Sequence, residues 1–254
     1  MKYGLSLALL LVIVLIFTGR QLLLRHQTAD RMEVTSNESS RLHVTPMLLE
    51  RLSKQGISDQ NVHVYLRAFK AEGELEVWIK TPEAAAWTLF KTYPFCKNSG
   101  TLGPKRKEGD LQIPEGIYHI DRFNPKSKFH LSLGLNYPNA SDRILGNPEA
   151  PGSDIFIHGG CVTVGCIPIT DAGIEEVYVL AEWAKESGQN DIPVHLFPFR
   201  FTIANWERYG TKFPQSVPFW QQLEAIYHAF EVDRTVPEVI ITESGHYQIR
   251  HSMS

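Results

Sequence analysis

The sequence is organised around one stretch, which runs Asp154-Ile155-Phe156-Ile157-His158-Gly159-Gly160-Cys161-Val162-Thr163-Val164-Gly165-Cys166-Ile167-Pro168-Ile169-Thr170-Asp171. Its opening residues, 154–157, form a short apolar run with β-branched side chains and predict a buried strand that ends at His158. The two glycines that follow permit a sharp turn, and the glycine before Cys166 lets the chain pass close beneath a bound group. The stretch therefore predicts that a folded-back loop brings an imidazole and a thiol into one site.

The predicted site has the chemistry of acyl transfer. A cysteine attacks a carbonyl as its thiolate, and a neighbouring imidazole is the commonest group that takes the thiol proton near neutral pH. His158 is therefore the predicted base and Cys166 the predicted nucleophile. The backbone N–H groups of Gly165 and Cys166 are the predicted donors to the oxyanion, because a glycine beside the nucleophile leaves room for the carbonyl.

Two other interpretations of these residues compete with a nucleophile. Cys161, Cys166 and His158 could bind zinc together with another histidine, but the sequence has no C-x-x-C pair. The two thiols could instead be buried structural groups, but glycines rather than apolar side chains surround them. We therefore favour a nucleophilic cysteine, and we predict neither a metal nor a cofactor.

Several spaced motifs resemble the catalytic domain of the YkuD-type L,D-transpeptidases. His158-Gly159 followed by Thr163-Val164-Gly165-Cys166 is similar to the family's histidine-glycine and serine/threonine-x-glycine-cysteine signature. The YafK-like branch is more similar still, because its shortened His-Gly-x-Cys-x-x-x-Gly-Cys motif fits residues 158–166. Three further segments fit this branch and extend the resemblance over residues 60–200: Gly103-Pro104-Lys105, Pro114-Glu115-Gly116-Ile117-Tyr118 and Tyr137-Pro138-Asn139. The chain departs from the wider family at Ile167-Pro168-Ile169, where an arginine usually follows the cysteine.

The resemblance implies a β-rich domain with the thiol in a cleft, a thioester on the cysteine, and peptidoglycan stem peptides as the substrate. It also implies that a backbone carbonyl, that of Gly159, holds the imidazole of His158 in its useful tautomer. The acceptor, and with it the function, stays open among three alternatives. A transpeptidase comes first, and a hydrolase of the same fold that cleaves peptide links or releases a wall-attached lipoprotein comes second. A non-catalytic wall-binding module comes third, and the intact Cys166 and His158 argue against it.

Four further residues are predicted substrate contacts. The irregular segment 134–143 predicts a wall of the cleft on which Tyr137, Asn139 and Arg143 face the substrate. A turn with a surface ion pair at Asp142 is the alternative. Lys105 lies in a loop of Gly, Pro, Lys and Glu and is a predicted cationic contact for an acidic stem peptide, with solvated loop charge as the alternative.

Alternating apolar and polar residues dominate the middle of the chain. They predict a fold that is mainly β with peripheral helices, and α+β as a whole. We expect the catalytic domain over residues 58–200 and a C-terminal helix and hairpin, packed on it, over residues 201–254. Alternation over residues 62–79 predicts a first hairpin, in which Arg67 and Lys70 are expected on a solvated strand face.

Two elements are predicted near the central stretch. Residues 129–133 predict a strand, and Thr170 or Asp171 is the predicted cap of a helix that runs to about Ser187.

The start of the chain predicts export. An apolar run follows Met1-Lys2 and is typical of a signal peptide or signal anchor over residues 1–25, although it is shorter than the roughly 20 residues of a membrane-spanning helix. Residues 26–57 predict a tether and a small helix that opens at Thr45-Pro46. The expected location is the periplasm or cell envelope, with membrane contact only through the N-terminal segment.

Composition bounds the partners. The chain has 254 residues and a formal net charge of -3, and it shows no basic stripe, so nucleic acid is not expected as a partner. In an oxidising compartment Cys96 and Cys161 could form a disulfide while Cys166 stays a thiol, but the sequence leaves this pairing open.

Overall fold

The computed structural model describes Gln21 and residues 38–250. The chain divides into two units, Met1–His43 and Val44–Ser254. Within the first unit the described residues are helical. Most of the predicted signal segment 1–25 and of the tether lies outside the described residues. Among the residues that are described, no helix is long and apolar enough to cross a membrane.

Helix α1 covers residues 38–53 and brings the chain into the second unit. The prediction that this helix opens at Thr45 was wrong, because the residues before it are helical as well. The reason is the apolar stripe of Val44, Leu48 and Leu52, which is buried and already begins before Pro46. Extending a helix that is anchored in this way costs far less than starting one, so the polar residues upstream join it.

One sheet of eight strands forms the centre of the second unit. Its strands, in chain order, are β1 His63–Phe69, β2 Glu74–Lys80, β3 Thr88–Pro94, β4 Gly116–Ser127, β5 His130–Leu135, β6 Phe156–His158, β7 Ile167–Pro168 and β8 Pro193–Phe197. Their order across the sheet is β3-β2-β1-β8-β4-β5-β6-β7. β1 runs parallel to β8 and β6 runs parallel to β7, whereas the other neighbours are antiparallel.

Helices cover the sheet. They are α2 Ala140–Leu145, α3 Asp171–Glu186, α4 Ile203–Gly210 and α5 Val217–Asp233. The described chain ends in a small hairpin of β9 Val239–Ile241 and β10 Tyr247–Ile249. α3 begins where the sequence predicts, because the side chain of Thr170 accepts the N–H of Gly173 as an N-cap. The strands and the surrounding helices confirm the predicted mainly β, α+β fold.

Both faces of the central strands are buried, whereas alternation of apolar and polar residues along a strand predicts only one buried face. One face packs against α1 and α3, and the other packs in a second cluster with aromatic residues of α5 such as Trp220 and Tyr227. The prediction of a solvated face for Arg67 and Lys70 was wrong, because their exposed fractions are only 1% and 6%. Each charge is paired inside the protein, because Arg67 forms an ion pair with Glu76 and Lys70 forms one with the buried Glu115.

The segment 134–143 is less irregular than predicted, because α2 begins inside it. Asn139 is the N-cap of α2, where its side chain accepts the N–H of Asp142 and the Asp142 side chain accepts the N–H of Asn139. This reciprocal pair is a capping box, which satisfies two backbone donors at the helix start. Asp142 is buried, and burial raises its pKa to about 6. Asp142 does form the ion pair of the alternative, with Arg106 at 3.9 Å, but its carboxylate is buried rather than at the surface.

Candidate active site

Two short parallel strands position the predicted nucleophile and base. Ile157 of β6 is in register with Ile167 of β7, and His158 is in register with Pro168. One residue further back, this register places Cys166 beside Phe156, two positions before His158. Cys166 lies directly before β7, and extending the register by this one residue places its Cα roughly 8 Å from the Cα of His158.

His158 is buried with one ring nitrogen occupied. Its exposed fraction is 1%, and its Nδ1 donates to the carbonyl oxygen of Gly159. A carbonyl oxygen can only accept, so Nδ1 carries the proton and Nε2 of the neutral ring keeps its lone pair. Burial lowers the pKa of His158, an effect that the Gly159 carbonyl partly offsets. The structure thus contains the Gly159 contact that the resemblance implies and leaves Nε2 as the basic atom.

Cys166 is a free, partly buried thiol. Its Sγ lies 3.6 Å from the carbonyl oxygen of Asp154. Burial raises the pKa of Cys166, whereas a hydrogen bond from the backbone N–H of Phe156 lowers it; the Asp154 carboxylate raises it further, and Lys105 lowers it. A raised thiol pKa beside a lowered imidazole pKa favours a neutral resting pair over a preformed thiolate and imidazolium.

The loop before the thiol is tightly held. Gly165 has φ of +146°, and a Cβ there would lie 3.1 Å from the carbonyl oxygen of Gln112, so only glycine suits the position. The N–H of Gly165 donates to Oγ1 of Thr163 at 3.1 Å, and that hydroxyl donates to the Cys166 carbonyl at 2.7 Å. The predicted oxyanion donor Gly165 is thus engaged with Thr163 in this state.

A disulfide joins Cys96 to Cys161, which are 65 positions apart in sequence and have their Cα atoms 5.4 Å apart. The pairing that the sequence left open is therefore present. It ties the loop between His158 and Cys166 to the segment that follows β3. Because Cys161 is part of a disulfide, it cannot act as the thiolate ligand that the zinc interpretation required.

Sequence analysis missed two residues that contact His158 or the turn after it. Oδ1 of Asp171, the first residue of α3, accepts the N–H of Gly160 at 2.7 Å. The ring of Phe129 lies 4.8 Å from the ring of His158, centroid to centroid. The sequence offered only a helix-capping role for Asp171 and a strand for Phe129, because neither contact leaves a local pattern.

The four predicted substrate contacts lie in different environments. Tyr137, Asn139 and Arg143 line one open groove of about 430 Å³. The hydroxyl of Tyr137 donates to the carbonyl of Pro151 at 2.7 Å, and Nδ2 of Asn139 donates to the Ile117 carbonyl and the Tyr247 hydroxyl. Arg143 is exposed. The first two therefore support the groove wall through internal bonds, and Arg143 alone of the three is exposed.

Lys105 differs from the charged lip that the sequence predicts. It is buried, and its Nζ donates to Oδ1 of Asp110 at 2.6 Å and to the carbonyl of Lys107 at 3.0 Å. Its charge still acts on the site, because it lowers the pKa of Cys166. A direct contact between Lys105 and a substrate stays a prediction.

Sequence comparison finds a relative over most of the chain. The chain is 36% identical over 193 residues to YafK of Escherichia coli strain K12, a protein assigned by its name to the L,D-transpeptidases, and the match covers 75% of each chain. The chain belongs to the YkuD-type L,D-transpeptidases, in the YafK-like branch. The YafK protein of Escherichia coli O157:H7 gives the same identity and coverage. No family model matches the chain.

Two solved structures resemble the chain at lower sequence identity. The helical cell shape determining protein Pgp2 of Campylobacter jejuni is 16% identical, with a TM-score of 0.44 and coverage of 72% of this chain and 74% of Pgp2. Bd1075 of Bdellovibrio bacteriovorus is 20% identical, with a TM-score of 0.37 and coverage of 68% of this chain and 64% of Bd1075.

Proposed function

We propose that this protein is an exported cysteine enzyme that transfers an acyl group from a peptidoglycan stem peptide. The observation that carries the proposal is a free thiol next to β7 and an imidazole at the end of β6, the strand that pairs with β7. His158 presents an unprotonated Nε2, and Cys166 is the single thiol left by the disulfide among the three cysteines of the chain. Membership of the L,D-transpeptidase family supplies the substrate class.

The reaction begins with a neutral thiol. The substrate brings Sγ of Cys166 from its place beside Asp154 toward Nε2 of His158, since catalytic contacts often tighten only on binding. Nε2 takes the thiol proton while Sγ attacks the peptide carbonyl. The resulting oxyanion is stabilised by the Cys166 N–H, and by the Gly165 N–H once it exchanges its bond to Thr163.

The tetrahedral intermediate then collapses to a thioester. The bond from carbonyl carbon to leaving nitrogen breaks, and the imidazolium of His158 gives its proton to that nitrogen. In the second half His158 takes a proton from the incoming acceptor, which attacks the thioester and releases the thiolate of Cys166. An amine acceptor makes a transpeptidase, whereas water makes a hydrolase that cuts a peptide link or releases a wall-attached lipoprotein.

The disulfide favours an oxidising compartment, which agrees with export to the periplasm or cell envelope. The signal segment 1–25, the tether and small helix over 26–57, the catalytic domain over 58–200 and the extension over 201–254 belong to this proposal. Any attachment to the membrane is through the N-terminal segment, and Tyr137, Asn139, Arg143 and Lys105 are proposed contacts of the substrate.

The test incubates the full-length chain with peptidoglycan sacculi and identifies the muropeptides by mass spectrometry. Cys166→Ala and His158→Ala should each lower product formation roughly 1,000-fold or more. His228→Ala, a change at an exposed histidine of α5, is the matched control and should retain activity. Amine-exchanged or newly cross-linked products identify a transpeptidase, and products with only water added identify a hydrolase. Sacculi that stay unchanged but retain the bound protein would indicate a wall-binding module and refute the proposal.

A further inference from the structure

The tip of the hairpin between β4 and β5, residues 127–130, lies over the predicted catalytic base. β5 pairs with β6 so that Ser132 is in register with His158, and the N–H of Gly159 donates to the Leu131 carbonyl at 3.2 Å. This pairing carries the tip across the end of β6. The Phe129 ring then lies 4.8 Å from the imidazole, centroid to centroid, at an interplanar angle of 35°.

The tip fits closely against the turn that holds the imidazole. A Cβ at Gly159 would lie 2.8 Å from the carbonyl oxygen of Phe129 and 3.1 Å from Cβ of His130. No side chain can be accommodated at those distances without a backbone shift. The carbonyl of the same glycine accepts Nδ1 of His158, so the tip and the imidazole are fixed to one peptide unit.

Helix α3 braces the tip from the other side. Nε2 of His130 lies 2.7 Å from Oε1 of Glu175, one turn into α3. Both side chains are largely buried, with exposed fractions of 29% for His130 and 16% for Glu175. Asp171 of the same helix holds the N–H of Gly160. One helix therefore holds both the tip and the turn.

Phe129 is far more exposed than the imidazole against which it packs. Its exposed fraction is 44%, whereas that of His158 is 1%. One face of the aromatic ring therefore contacts the imidazole, and much of the rest faces water. Burial is the main cause of the lowered pKa of His158, so removal of this ring should hydrate the imidazole and return its pKa toward the ordinary value.

We propose that Phe129 is a positioning residue that covers the imidazole of His158, and that the His130–Glu175 contact keeps this cover in place. The inference rests on the proposed function, because it assigns the cover to a histidine that acts as base. Phe129 exchanges no proton and does not act on the substrate bond. It holds the imidazole in one orientation and shields the ring side that it covers from bulk water. Two charged groups lie nearby, Asp171, which holds the turn, and Glu175, which contacts the tip.

The experiment measures the pKa of His158 and the steady-state rates in one set of full-length variants. A ¹H NMR titration of the histidine ring protons gives the pKa without any substrate, and the His158→Gln spectrum assigns the signal. Phe129→Ala should raise this pKa and lower kcat about 10- to 100-fold with a smaller change in KM, because a displaced base aligns poorly with the thiol. Phe129→Leu should bring the pKa of His158 and kcat part of the way back to the wild-type values. Glu175→Gln should raise the pKa and lower kcat by less than Phe129→Ala does.

Lys128→Ala is the matched control, since it changes the exposed neighbour of Phe129 in the same turn. It should leave the pKa and kcat unchanged. If Phe129→Ala leaves the pKa and kcat unchanged while His158→Ala abolishes activity, the covering role of Phe129 is refuted and the proposed function is not. A raised pKa in Phe129→Ala, with full activity in His158→Ala, would support the cover and refute the proposed function.

Discussion

The Cys96–Cys161 disulfide should stabilise the protein by about 4 kcal/mol. A cross-link removes conformations from the unfolded chain, and the entropy removed grows with the logarithm of the closed loop. For these cysteines, which are 65 positions apart in sequence, the loop-closure relation gives about 4 kcal/mol at 25 °C. That value is a large part of the 5–15 kcal/mol by which domains are typically stable, roughly speaking.

The perturbation is the double variant Cys96→Ala/Cys161→Ala, which leaves the Cys166 thiol in place. Urea unfolding, followed by far-UV circular dichroism and analysed by linear extrapolation, gives the free energy of unfolding and the slope m. We expect the free energy to fall by about 4 kcal/mol. The control is Cys166→Ala, which removes a sulfur but no cross-link and should cost far less. Thiol titration in denaturant should find one thiol in the wild-type chain and one in the double variant.

Activity should fall with the same change, because the disulfide anchors the loop between His158 and Cys166. The double variant should lose activity at a temperature where circular dichroism shows that it is still folded. A loss of stability under about 1 kcal/mol with an unchanged slope m would refute the loop-closure reasoning. Full activity in the folded double variant would refute the idea that the disulfide positions the catalytic loop.

Two further changes test the buried groups of the sheet. Burial lowers the pKa of His195 to about 3, and its Nδ1 lies 2.7 Å from the hydroxyl oxygen of Tyr65. Because the unfolded chain takes up this proton near pH 6.5 and the folded chain does not, stability should fall by up to roughly 5 kcal/mol as the pH drops from 6.5 to 3. In His195→Gln the unfolding free energy should depend less on pH over that window, and an unchanged slope contradicts the assignment. Arg67→Met should cost about 3 kcal/mol in urea unfolding, since it leaves the buried Glu76 with one partner fewer, whereas Arg122→Met at an exposed ion pair should cost under about 1 kcal/mol. Equal losses in these two variants would show that burial of the Arg67 pair does not matter.

Local patterns were enough to predict the first hairpin of the sheet and the start of α3, but not the short strand β7. Alternation over residues 62–79 indicated the β1–β2 hairpin, and the register of His63–Phe69 against Glu74–Lys80 confirms it. Thr170 marked the start of α3 through capping, which is a contact over three residues. The spacing of His158 and Cys166 likewise suggested one site, because the glycines between them permit a turn.

The environment of each side chain depended on segments far along the chain. Arg67 resembles a surface residue in sequence, but α5 supplies both an apolar cover and Glu231, which is 164 residues away. Tyr137 and Asn139 lie in a segment that the sequence shows only as a loop, and the structure engages their polar atoms with the carbonyl of Pro151 and the hydroxyl of Tyr247. Their contact with a substrate stays a prediction. Neither outcome leaves a periodic signal in the sequence.

The sequence by itself therefore determined the strand and turn that carry the histidine and the cysteine, because alternation, capping and glycine placement act over a few residues. Only the tertiary structure decided what surrounds them: Phe129 over the imidazole, Asp171 on the turn, and the disulfide from Cys96 to the catalytic loop. The physical reason is that burial and hydrogen-bond pairing are set by whichever segments pack together, and those segments are distant in the chain.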